Sequence, residues 1–238
     1  MNNKHKVYNL IILDESGSMQ SIKKTIINGF NEVVQTIKAV ALQYPEQEHT
    51  VTFTSFNSTG LKKIVENSRI ESLNEINEES YMPDGGTPLF DAMGAAFFNL
   101  NWIIEKENPK DYNVLVTILT DGEENASKEH TAQSIKSMIE LYKSKNWTFT
   151  YIGANHDVES FASRLSISNV MKFETNEEDM QRMFSRDRNS RVLYSQKIRM
   201  NLDTSDGYFD MNENKVDQKK ENKTTQKKIS FWERLFGK

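Results

Sequence analysis

A chain of 238 residues with 37% apolar side chains is long enough for one sizeable domain with some solvated chain left over. It has no cysteine, which excludes disulfides, thiolate metal sites and Cys nucleophiles, and its four histidines (His5, His49, His130 and His156) lack ligand-pair spacing, so a zinc site is not expected. The net charge of −4 gives no reason to expect nucleic acid as a partner, although from residue 215 onward seven Lys and one Arg face three acids, which leaves about −9 on the rest.

The first six residues are polar, and no apolar stretch long enough for a signal peptide or a membrane span follows, so the expected location is the cytoplasm. Residues 7–13 (VYNLIIL) form the nearly continuous apolar run of a strand covered on both faces. After the break at residues 14–18, Ile22, Ile26, Ile27, Phe30, Val33, Val34, Ile37 and Ala41 recur at helical spacing until Tyr44-Pro45. Residues 50–56 (TVTFTSF) alternate as a strand, and residues 61–65 read as its hairpin partner. Residues 66–84 are polar and irregular and read as a linker with one short turn. Gly85-Gly86-Thr87-Pro88 is loop chemistry, with Pro88 suited to a helix start.

A helix follows, with Leu89, Ala92, Met93, Ala96, Phe97, Leu100 and Ile103 on one side, and then a second buried strand at residues 112–119 (YNVLVTIL) that ends near Asp121. Further on, a helix is expected at 128–145, a strand at 148–152, a short helix at 158–165, a strand at 170–173 and a closing helix at 177–200. Strands alternating with amphipathic helices specify an α/β fold, a doubly wound and mostly parallel six-stranded sheet flanked by helices. The expected domain spans residues 1–200. A disordered polar linker over 201–228 and a short amphipathic aromatic motif at 229–238 follow it.

In an open α/β sheet, ligands bind beyond the carboxyl ends of the strands, where strand order reverses. Asp14 and Asp121 each stand just past a buried strand, so both are expected at that edge on the two central strands. Ser16 and Ser18, with Gly17 between them, can aim two hydroxyls at one spot, and Thr87 approaches from a separate loop. Two carboxylates and three hydroxyls form an all-oxygen set for a hard cation. Two negative charges balance one divalent ion. Mg2+ is the expected cofactor, and Mn2+ and Ca2+ suit the same donors. So sparsely charged a site stays electrophilic and accepts an incoming Asp or Glu.

Asp14-Glu15-Ser16-Gly17-Ser18 matches the D-x-S-x-S motif of the von Willebrand factor A family, and Thr87 in GGTPL and Asp121 in LTDGEEN match its other two elements. Together they resemble a complete metal-ion-dependent adhesion site. The likeness covers residues 4–173, and its GGTPL and DxSGSM forms look like intracellular bacterial members. The resemblance implies that Ser16, Ser18 and Thr87 ligate the metal directly while Asp14 and Asp121 act mainly through water. It also implies an adaptor whose protein partner offers a carboxylate, in the company of AAA+ ATPases or in stress systems. The alternative is a metal-dependent phosphoester hydrolase built on the same residues.

Glu15, Gly86 and Glu123 flank the metal set and are candidate partner contacts. Glu124, Asp91 and His156 read as solvated or capping groups, and the arginines at 182, 186, 188, 191 and 199, interleaved with acids, read as a solvated helix face. Phe231, Trp232, Leu235 and Phe236 form an apolar face among Lys227, Lys228, Arg234 and Lys238. That motif is expected first to dock on a partner, next to pack on its own domain, and last to make weak contact with a membrane.

Overall fold

The computed structural model describes residues 4–154 and 157–210. Its elements, in chain order, are β1 (His5–Asp14), a 3-10 turn (Gly17–Ile22), α1 (Lys23–Gln43), β2 (Gln47–Asn57), β3 (Gly60–Arg69), a short turn (Ile70–Ser72), α2 (Leu89–Glu107), β4 (Tyr112–Thr120), α3 (Ala132–Lys143), β5 (Trp147–Gly153), α4 (Val158–Arg164), β6 (Asn169–Lys172) and α5 (Glu177–Arg199). The strands form one six-stranded sheet in the order β3-β2-β1-β4-β5-β6. All neighbours are parallel except the β2–β3 hairpin. Strand order therefore reverses between β1 and β4, which places the predicted crevice at their carboxyl ends. Among the described residues no helix is long and apolar enough to cross a membrane.

The continuous apolar run of β1 follows from its central place, because alternate residues serve two cores. Val7, Ile11 and Leu13 join the core beneath α1 and α5, whereas Tyr8, Leu10 and Ile12 join the core beneath α2, α3 and α4. Asn9 is the polar exception: its Nδ2 donates to the Thr50 carbonyl at 3.0 Å, so the buried amide is satisfied.

Four expectations change on folding. Residues 66–84 are not a loose linker: β3 runs on to Arg69, and Ile70, Leu73, Ile76 and Tyr81 are buried. Asn31 of α1 pins this segment by donating to the Ile76 carbonyl at 3.0 Å and accepting its N–H at 2.9 Å. The helix expected from residue 128 begins at Ala132, because the N–H groups of Lys128, Glu129 and His130 turn instead to the Asp91 carboxylate. Asp91 is thus a loop organiser rather than a bare surface group.

The third change concerns α5. Arg191 is buried, not solvated, with its Nε 2.7 Å from Asp187 Oδ2 and its Nη2 2.8 Å from Thr117 Oγ1 on β4. The fourth concerns residues 201–210, expected to open a disordered polar linker. Tyr208 and Phe209 are buried in the α1–α5 core, and the Tyr208 hydroxyl donates to Asp187 Oδ1 at 3.0 Å. Thr148 Oγ1 donates to the Thr204 carbonyl, and Arg186 donates to the Phe209 carbonyl, so this strap is tied at both ends.

His49 on β2 is buried, and burial pushes its pKa down to about 4, with His5 nearby acting in the same direction. The imidazole is therefore neutral in the fold, whereas the unfolded chain titrates near 6.5. Its contribution to stability is complete above about 6.5 and declines as pH falls toward 4, by on the order of 3 kcal/mol. Chemical denaturation of His49→Gln and the parent between pH 7.5 and 4 is expected to show a shallower loss in the variant; parallel curves would remove His49 as the cause.

Candidate metal centre

Asp14 is the last residue of β1, and its side chain is fully buried. Oδ1 accepts the Ser16 N–H at 2.7 Å, Oδ2 accepts the Thr120 hydroxyl at 2.5 Å, and the main-chain carbonyl accepts the Tyr81 hydroxyl at 2.7 Å. Burial raises the Asp14 pKa to about 6; the hydrogen bonds from Thr120 and Ser16 pull the other way, and the charge on Asp121 adds to the rise. Asp121, just past β4, accepts the Ser18 hydroxyl at 2.6 Å, and Ser18 Oγ lies 3.2 Å from Ser16 Oγ. Thr87 is buried on the third loop. A β-carbon placed on Gly122 would lie 3.4 Å from Ser18 Oγ and 3.5 Å from Thr87 Oγ1. The small space that Gly122 leaves open thus faces both hydroxyls. All five residues expected to form the site converge at the β1/β4 edge.

This donor set fits a hard divalent cation. It consists only of carboxylate and hydroxyl oxygens, it carries two negative charges, and the gap beside Gly122 would be filled by any side chain there. Among the described residues no group of three or more His, Cys, Asp and Glu could hold a metal, so a cation here depends on the hydroxyls as much as on the two acids.

Three loops deliver these side chains and are tied to one another. The Gly17 N–H donates to the Gly85 carbonyl at 2.9 Å, the Asp84 N–H to the Glu15 carbonyl at 3.0 Å, and the Glu15 N–H to the Phe56 carbonyl at 2.8 Å. Gly85 has φ of +72°, and a β-carbon there would meet Ser58 Oγ at 2.1 Å, so glycine is required twice over. Gly86, half-buried at the rim, donates its N–H to Ser58 Oγ at 3.1 Å. The Thr87 N–H donates to Asn125 Oδ1, and the Asn125 N–H returns to the Thr87 carbonyl. Glu124 gathers the N–H groups of Phe90, Ala126 and Ser127 on its carboxylate, so it orders the third loop rather than standing in solvent.

Of the expected partner contacts, Glu123 is exposed and Gly86 is at the rim. Glu15 is not at the surface. It is fully buried, with Oε1 accepting Lys62 Nζ at 2.9 Å and the Met82 N–H at 2.8 Å, and Oε2 accepting the Ser55 hydroxyl at 2.6 Å. Position 15 points inward because the strand alternation of β1 carries on past Asp14 and turns it toward β2 and β3. His156, Phe231, Trp232, Leu235 and Phe236 lie outside the described residues.

Thr120, Tyr81 and Asn125 are part of the site's support and were not picked out from the sequence. Thr120 reads as one more β-branched strand residue, and Tyr81 sits in a polar stretch; only the hydroxyl directly before Asp121 was a usable signal.

The family model for the von Willebrand factor type A domain matches residues 10–204. No curated protein sequence matches the chain. Among solved structures, the open conformation of the pilus adhesin SpaC from Lactobacillus rhamnosus GG aligns with a TM-score of 0.57 at 13% identity, over 80% of this chain and 30% of that one. The manganese-loaded TRAP protein of Plasmodium vivax aligns with a TM-score of 0.48 at 14% identity, over 77% of this chain and 74% of that one. Proximal thread matrix protein 1 from the mussel byssus aligns with a TM-score of 0.47 at 13% identity over 76% of this chain, which spans only 44% of that protein's length. The match of the family model over most of the chain, on the sheet order and loop positions described above, makes this protein a member of the von Willebrand factor type A domain family.

Proposed function

We propose that this domain is a metal-dependent protein-interaction module, in which Ser16, Ser18 and Thr87, backed by Asp14 and Asp121, hold Mg2+ and a carboxylate from a partner protein completes the site. The observation that carries this reading is the meeting of these five residues at one sheet edge: the Ser18 and Thr87 hydroxyls both face Gly122, Ser18 is bonded to Asp121 and lies 3.2 Å from Ser16 Oγ, and the Ser16 N–H is bonded to Asp14. The bound cation supplies Lewis acidity that attracts an Asp or Glu. The chain's own residues do the rest. Thr120 and the Ser16 N–H orient Asp14, Ser18 bridges Asp121 to Ser16, and the bond between Gly17 and Gly85 holds the two loops in register.

Mn2+ and Ca2+ suit the same oxygens. An AAA+ ATPase, or a component of a stress system, is the partner class that the family likeness suggests. The binding reading stands ahead of phosphoester hydrolysis because the lining groups are acids and hydroxyls bonded to one another.

Two measurements test it. A ligand that binds only the folded state stabilises it by about 2.7 kcal/mol at 100 times its Kd, which is several degrees in a domain of this size. MgCl2 is therefore expected to raise the Tm of the parent protein by several degrees above its value in EDTA, and to leave Asp14→Asn unmoved. Asp14→Asn without metal is expected to melt no lower than the parent, since it removes one of two neighbouring buried carboxylates. An equal Mg2+ shift in both proteins would overturn the site.

Thr87→Ala is expected to keep the metal-free Tm within a few degrees and to weaken Mg2+ binding at least about tenfold by calorimetry, the scale of one lost ligand. Unchanged affinity would take Thr87 out of the coordination set.

A further inference from the structure

Of the exposed large apolar side chains among the described residues, Leu42, Phe98, Trp102 and Leu141 lie on helices and Ile64 lies on β3; Met82 alone belongs to the loops at the metal edge. It is 58% exposed, yet its backbone is held on both sides. The preceding Tyr81 is buried with its hydroxyl on the Asp14 carbonyl at 2.7 Å, and the Met82 N–H is bound to Glu15 Oε1 at 2.8 Å. Two residues on, the Asp84 N–H meets the Glu15 carbonyl.

The same Glu15 oxygen accepts Lys62 Nζ at 2.9 Å, and the Lys62 side chain is 45% exposed with donors to spare. Glu15 itself is completely buried. One carboxylate beneath the surface, on the residue between Asp14 and Ser16, thus holds both the Met82 main chain and the Lys62 ammonium on the same oxygen.

The pinned backbone removes the main-chain share of the ordering cost on binding, and the unbranched, polarisable methionine side chain adapts its shape to an apolar contact. A half-exposed lysine beside it selects negative charge. We infer that Glu15 is the buried mount of a recognition rim made by Met82 and Lys62. The rim selects an acidic peptide segment in which the carboxylate given to the metal is accompanied by a large apolar residue and a second acid. This inference rests on the metal-dependent reading above and adds the chemistry of the partner. Glu15 acts as a positioning residue, since it touches the rim and not the peptide.

The test is to pan a random peptide library displayed on phage against the full-length protein in MgCl2, with elution by EDTA. Enriched sequences are then synthesised and titrated against the parent, Met82→Gln, Lys62→Met, Glu15→Gln and Asp14→Ala. Peptides pairing two acids with a large aliphatic or aromatic residue are expected. They should bind Met82→Gln and Lys62→Met at least about fivefold more weakly, the loss typical of a real interface contact. Mg2+ affinity in Met82→Gln should stay within about twofold of the parent, and peptide affinity for Lys62→Met, which also removes the ion-pair partner of Glu15, is compared at saturating Mg2+. Glu15→Gln should also speed amide exchange at Met82, a readout that surface contact alone would not move. If Glu15→Gln fails to fold, the two surface variants still decide the question.

EDTA-sensitive peptides that carry an acid alone and bind Met82→Gln and Lys62→Met like the parent would overturn the rim and leave the metal reading standing. Enrichment that is indifferent to EDTA and to Asp14→Ala, or no enrichment at all, would overturn both.

Discussion

The Asp14 carboxylate is buried at the mouth of the sheet with a second acid, Asp121, close enough to raise its pKa further. Moving an ionised carboxylate out of water costs several kcal/mol unless hydrogen bonds or an opposite charge compensate. Each oxygen of Asp14 has one donor, the Ser16 N–H and the Thr120 hydroxyl, and these do not cancel the burial. The loops at this edge can be understood as the arrangement that keeps the acid in place despite that cost. A group held in an unfavourable charge state by its surroundings is a frequent mark of a functional position.

Holding it requires rigidity, and the rigidity comes from ties between loops rather than from any single one. Glu15 gathers β2, β3 and the segment at Met82; Glu124 gathers the start of α2 and the loop after β4; Asn125 and Thr87 are bonded to each other in both directions. Acids that accept backbone N–H groups do this well, because each such bond is charge-assisted and fixes main chain rather than a mobile side chain. The same acids that look like spare negative charge in the sequence therefore act as internal braces.

The two faces of the sheet are built differently. Beneath α2, α3 and α4 the core is a cluster of aromatic and aliphatic side chains, with Phe97 edge-on to Tyr142, Trp147 and Phe149. Beneath α1 and α5 the apolar core also contains the Arg191–Asp187 pair, bridged to β4 through Thr117 and to the closing strap through Tyr208. A buried ion pair of this kind adds little net stability, and its value lies in geometry, since only one register of α5 satisfies it.

Much of this architecture was legible in the sequence. The apolar runs of β1 and β4 can only be central strands, the TVTFTSF alternation is a strand, and the helical periods that follow leave a parallel α/β sheet as the consistent arrangement. The D-x-S-x-S segment and Asp121 were legible too, because strand ends place them at one edge whatever the details of packing, whereas Thr87, which follows the long segment after β3, was legible only through its motif. Only the tertiary structure decided what a polar residue does when it meets a partner far along the chain. Glu15 finds Lys62 and Met82, Asp91 finds the N–H groups at 128–130, Arg191 finds Asp187 and Thr117, and Tyr81 finds Asp14. Periodicity reports which face of an element is apolar, and so it reveals the core. It carries no signal for a charge buried against a complementary group, since that group's distance in sequence is set by the fold.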